Sequence, residues 1–75
     1  MRETLLRILT ENCPGIDFES ETALIDGGII DSLDIVSIVS EMMDEFDVEI
    51  TVDDLVPENF NTVDAMIKLI ENKKL

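Results

Sequence analysis

The order of apolar and polar residues divides the chain into helical stretches separated by breakers. From Arg2 to about Asn12, Leu5, Leu6, Ile8 and Leu9 share one face at helical spacing, which predicts a first helix. Asn12-Cys13-Pro14-Gly15 ends it, because Pro lacks an amide proton and Gly accepts left-handed geometry. Residues 13–31 show no sustained period and predict a long loop. Such a loop needs anchors, and Ile16, Phe18, Leu24, Ile25 and Ile29 are the candidates, with a tight turn at Gly27-Gly28.

From Ser32 to Phe46 the helical signal is strongest. Ile35, Ile38, Val39, Met42 and Phe46 recur at steps of three and four and predict a buried stripe. Turning that stripe inward turns Leu33, Val36, Ser40 and Met43 partly outward, beside Asp34, Glu41, Asp44 and Asp47. Asp47-Val48-Glu49-Ile50 alternates but is too short for a sheet. It predicts an extended link with Val48 and Ile50 on the core. Thr51 followed by Asp53 and Asp54 predicts a helix start, and Pro57 predicts its early halt. A last helix is expected after Asn61 or Thr62, with Val63, Met66, Ile67 and Ile70 inward and Lys68, Lys73 and Lys74 matched to its C-terminal dipole. The expectation is an all-α bundle of four helices, with a long first loop and a short third helix. Residues 1–75 are expected to form one domain.

Composition narrows the chemistry. One Cys and no His in 75 residues leave no ordinary zinc or iron–sulfur site, no Ser-His-Asp or Cys-His nucleophile and no intrachain disulfide. Cys13 lacks a nearby activating base and is read as structural. No metal site is expected. Asp53-Asp54 and Asp44-Glu45 lack calcium-loop spacing, which leaves non-specific divalent binding. No apolar run reaches the roughly 18 residues that cross a bilayer, and the first residues lack a signal-peptide core, so a cytoplasmic protein is expected.

Charge changes the picture most. The net charge is −13, with 18 acidic and 5 basic residues, and no Lys or Arg falls between Ile8 and Ile67. Nucleic acid and anionic membranes are opposed by this field, whereas a basic protein surface is attracted over a Debye length of about 8–10 Å. An apolar content of 45% lets the chain bury a core despite self-repulsion. Leu33, Val36 and Met43 are the candidate apolar anchors of a docking face, and Asp34, Glu41, Asp44 and Asp47 its charged rim. The competing reading makes them surplus core and solvated surface.

Ser32 is the candidate for chemistry. Its plain role is the N-cap of the strongest helix, its hydroxyl accepting from a first-turn amide. The same position suits a phosphate attached to an exposed hydroxyl, near free amides and the positive end of the dipole.

Gly28-Ile29-Ile30-Asp31-Ser32-Leu33-Asp34-Ile35-Val36, followed by Glu45-Phe46-Asp47-Val48-Glu49-Ile50, resembles the acyl carrier protein family. The resemblance implies a non-catalytic phosphoprotein carrying 4′-phosphopantetheine on Ser32, with acyl or aminoacyl groups held on the arm as thioesters. It implies that Asp31, Leu33 and the acidic helix are read by a phosphopantetheinyl transferase, a loading ligase and downstream enzymes of fatty-acid, polyketide or related biosynthesis. The stretch ending Phe60-Asn61-Thr62 is closer to carriers loaded by adenylating ligases, such as D-alanyl and peptidyl carriers, while Leu33-Asp34 is closer to fatty-acid carriers. A long acyl cargo would need a cleft beside Ile35, Val39 and Phe60. A monomer without membrane insertion is expected. An acidic interaction module, with Ser32 only capping, is the alternative from another class.

Overall fold

A computed structural model describes residues 1–74 as helices α1 (Arg2–Asn12), α2 (Ser32–Phe46), α3 (Pro57–Phe60) and α4 (Val63–Lys73), with a 3-10 turn at Val52–Asp54. There is no strand among the described residues, and the four-helix expectation holds. α1 packs on α2 and on α4, and α3 packs on α4.

The core forms where the helical stripes meet. Leu5, Ile8 and Leu9 of α1 face Ile35, Ile38, Val39, Met42 and Phe46 of α2, and Val63, Met66, Leu69 and Ile70 of α4 complete the cluster. The α2 stripe is therefore the expected one. Each large aliphatic side chain fully removed from water contributes about 1.5–3 kcal/mol, which is how so acidic a chain stays folded. Val48 and Ile50 are buried in the link after α2. Within the long loop, Phe18 and Leu24 are buried anchors, and Ile16, Ile25 and Ile29 are partly buried. Four core residues lie outside the expected inward set: Cys13, Ile30, Phe60 and Leu69. Ile30 is 2% exposed at the end of the loop, its amide held by the Leu24 carbonyl, and Leu69 is 7% exposed beside Ile70. Gly28 turns the loop just before Ile30 at φ 71°, a left-handed conformation costly for other residues.

The region around Pro57 differs from expectation. Val52–Asp54 is a 3-10 turn, and Pro57 opens α3 at its first position rather than halting a longer helix. The missing amide proton of Pro is harmless there, since a first-turn amide has no intrahelical partner. Thr62 caps α4, its Oγ1 accepting from the Ala65 amide at 3.0 Å.

Basic side chains cross-link the ends of elements. Arg7 pairs with Glu45 of α2 at 3.2 Å, and Arg2 reaches Glu19 of the loop and Asp64 of α4. Lys74 Nζ donates to the Phe46 carbonyl at 3.0 Å, placing a cation at the C-terminus of α2. Lys73 pairs with Asp54 at 2.7 Å, and Asp54 Oδ2 also accepts from the Thr51 amide at 2.9 Å. Lys73 first, and then the Thr51 amide, hold the Asp54 carboxyl below its ordinary value. A depressed carboxyl contributes stability that is complete above the ordinary carboxylate range near about pH 4 and is lost as pH falls through the folded value. Lys73→Met is accordingly expected to lower the Tm at neutral pH and to have little effect in strong acid. Thermal melts followed by circular dichroism across pH check both.

Candidate functional site

α2 begins at the end of the long loop, and the residue that closes its first turn is Asp31. The Asp31 backbone is extended, and its Oδ1 accepts from the Asp34 amide at 2.8 Å. This corrects the N-cap reading of Ser32. A carboxylate is an equally good cap and matches the positive helix end, so the cap falls one residue earlier. Ser32 occupies the first helical position, and its side chain is exposed with no hydrogen-bond partner among the described residues. The Ser32 and Leu33 amides belong to the first turn, where no intrahelical acceptor exists.

Beside Ser32 lies a cleft of about 330 Å³ lined by Ile25 and Ile30 of the loop, Asp31, Ser32, Ile35 and Val36 at the start of α2, and Leu55, Val56, Pro57 and Phe60. Ile35 and Phe60 line it as expected, while Val39 does not and is spent in the core. Apart from Asp31 and Ser32 its lining is aliphatic and aromatic, with no cationic side chain among the described residues.

The remaining candidate residues divide into two groups around α2. Leu33 and Val36 are 77% and 61% exposed, as an apolar docking face requires. Asp44 and Asp47 are exposed and make no ion pair among the described residues. Asp47 ends α2 in left-handed geometry, φ 54°. Met43 is half-buried against the core and contributes only part of its side chain to the surface. Asp34 and Glu41 lie on the other flank, toward α1. Glu41 accepts from Asn12 Nδ2, and Asp34 adjoins Cys13. The four acids expected to form one rim therefore split, because a step of seven residues returns Asp34 and Glu41 to the α1 side. Cys13 is buried, and burial first, then the Asp34 carboxylate, push its thiol above the ordinary value. A thiol so raised stays protonated and unreactive, in keeping with a structural role.

Asn61, a candidate cap of the last helix in the sequence, has a role that its neighbours in the chain do not signal. Its side chain binds the loop at Ile25 and Asp26, contacts 36 and 35 residues apart that no local pattern signals.

A helical bundle that lifts an otherwise idle serine to the rim of an apolar cleft defines a domain built to bear an attached group. The family model for the phosphopantetheine attachment site matches residues 2–70. The chain belongs to this family, that of the acyl carrier proteins. No curated protein matches the chain individually. Domains of this family attach a 4′-phosphopantetheine prosthetic group, are not themselves catalytic, and work with phosphopantetheinyl transferases and biosynthetic enzymes. The start of α2 fits such a group, offering an exposed hydroxyl, two unpartnered amides for a phosphate and an open cleft alongside. No helix among the described residues is long and apolar enough to cross a membrane.

The division of labour between neighbours is measurable. Asp31→Ala is expected to cost about 1 kcal/mol through loss of the cap, while Ser32→Ala leaves stability within a few tenths of that of the wild type. Urea unfolding of the unmodified protein compares the two.

Proposed function

We propose that residues 1–75 act as one carrier domain in which Ser32 bears the phosphopantetheine, and that its cargo is an acyl group of a biosynthetic pathway such as fatty-acid or polyketide assembly. The observation that carries this reading is the Ser32 hydroxyl, exposed at the first position of α2 with the capping duty taken by Asp31, at the mouth of an apolar cleft. When bound, the arm supplies the thiol that holds cargo as a thioester. The chain's own residues do the rest. The Ser32 and Leu33 amides would be the donors to a phosphodiester on Ser32, and the helix dipole would favour its charge. Asp31 keeps the turn closed around it. The apolar lining of Ile25, Ile30, Ile35 and Phe60 supports an acyl cargo, and Asp31 is the one carboxylate in the lining that an aminoacyl ammonium would meet. The aminoacyl reading, a D-alanyl or peptidyl-type carrier served by an adenylating ligase, rests on Phe60-Asn61-Thr62.

Docking is assigned to the outer face of α2. Leu33 and Val36 are its apolar anchors, and Asp44 and Asp47 are the carboxylates that attract a basic partner surface. Charged steering with few apolar anchors suits an encounter that forms fast and releases fast, as a carrier visiting several enzymes needs. The same field keeps copies of the chain apart, which supports a monomer, and the need for a transferase and coenzyme A supports a cytoplasmic location.

Incubation with coenzyme A, Mg²⁺ and a broad-specificity phosphopantetheinyl transferase is expected to add one phosphopantetheine to the wild type and none to Ser32→Ala, read by intact mass. No addition to folded wild type with several transferases would replace this reading with the interaction module. Leu33→Ala and Val36→Ala are expected to keep stability within about 0.5 kcal/mol while raising the KM for loading. Loss of fold in either would return them to the core.

A further inference from the structure

Asn61 stands at the end of α3 with φ −70° and ψ −25°, half-buried. Its Oδ1 accepts from the amides of Ile25 and Asp26, both at 3.0 Å. Its Nδ2 donates to Asp26 Oδ2 at 2.9 Å, and its backbone carbonyl accepts from the Leu24 amide at 3.1 Å. Among the described residues, every hydrogen bond between residues 13–31 and residues 47–62 is made by Asn61. The held segment is itself a hub. The Leu24 carbonyl accepts from the amides of Ile29 and Ile30, both at 3.0 Å, and Ile30 leads directly into Asp31 and Ser32. Ile25 and Ile30 line the cleft, and so does Phe60, the neighbour of Asn61.

We propose that Asn61 is a positioning residue for modification at Ser32: it clamps the loop to the end of α3, and through Leu24, Ile29 and Ile30 it holds the approach to Asp31-Ser32 in the one conformation a transferase accepts. The inference rests on Ser32 being the attachment residue. An asparagine suits the task because it offers one acceptor to two amides and one donor to a carboxylate at the same time. An aspartate keeps the acceptor but sets a second carboxylate against Asp26. Without the clamp the loop samples other conformations, and the apparent affinity of the transferase falls by the fraction of molecules still competent. Turnover after binding is unchanged, since Asn61 touches neither the hydroxyl nor the incoming group.

The experiment measures loading at saturating coenzyme A for the wild type, Asn61→Asp, and the exchanged pair Asp26→Asn/Asn61→Asp, alongside hydrogen exchange of the Ile25 and Asp26 amides. Asn61→Asp is expected to raise KM about tenfold at constant kcat and to lose protection at both amides, as a competent fraction near a tenth requires. The exchanged pair restores donor against acceptor and is expected to recover both. A KM unchanged in Asn61→Asp would overturn the proposal, as would a loss spread over kcat and KM alike. Should Asn61→Asp unfold, the exchanged pair decides, and failure to recover loading in a folded pair counts against the clamp. A wild type that accepts no phosphopantetheine would sink the assignment of Ser32 instead, and amide protection that survives in Asn61→Asp would then overturn the clamp.

Discussion

Eighteen carboxylates and five cations are drawn into a volume with a radius of gyration of 11.0 Å, and the fold is organised around that repulsion. The hydrophobic core opposes it everywhere, but the cations oppose it only at chosen points. Arg2 ties α1 to the loop and to α4, Arg7 ties α1 to α2, and Lys73 and Lys74 tie α4 to the 3-10 turn and to the end of α2. Each sits where one element ends near another, so few charges join many parts. Exposed pairs of this kind are individually weak, and their value here comes from linking elements that would otherwise repel. With no cation between Ile8 and Ile67, the outer face of α2 keeps its carboxylates unneutralised. The scarcity that limits stability also preserves the field that a basic partner senses.

α2 resolves two demands by geometry. One stripe, from Ile35 to Phe46, holds the core, and a second, with Leu33 and Val36, faces water. The carboxylates follow the same division: those toward α1 engage Arg7 and Asn12, and those on the far side remain unpaired. A helix of ordinary length thereby has an inner face that carries stability and an outer face open to recognition, and a substitution on one need not disturb the other.

How much of this was legible in the sequence depended on range. The helices and the α2 stripe follow from periodicity within a few residues, and they were readable. The start of α2 was legible to within one residue. Asp31 and Ser32 are both good caps, and only the geometry of the incoming loop, swung by Gly28 and anchored by Ile30, decides for Asp31. Pro57 carries two opposite local meanings, end and beginning, and the Asn59 side chain donating to the Asp54 carbonyl at 2.9 Å shows how closely α3 follows the turn before it. The split of Asp34 and Glu41 from Asp44 and Asp47 required knowing which side of α2 faces α1. The Asn61 contacts bring together residues too far apart in sequence for any local rule.

The one-residue offset between the capping side chain and the serine has a consequence for the timing of events on the protein. A helix whose first turn is closed by Asp31 is complete before anything is attached next door. A group placed on the adjoining hydroxyl, or cleaved from it, neither opens nor closes that turn, so it acts on the folding equilibrium only through the charge it sets beside the first-turn amides and whatever it lays in the cleft. Loaded and unloaded molecules then start from one scaffold, and an enzyme that must distinguish them reads the appendage and the contacts it makes rather than a rebuilt first turn.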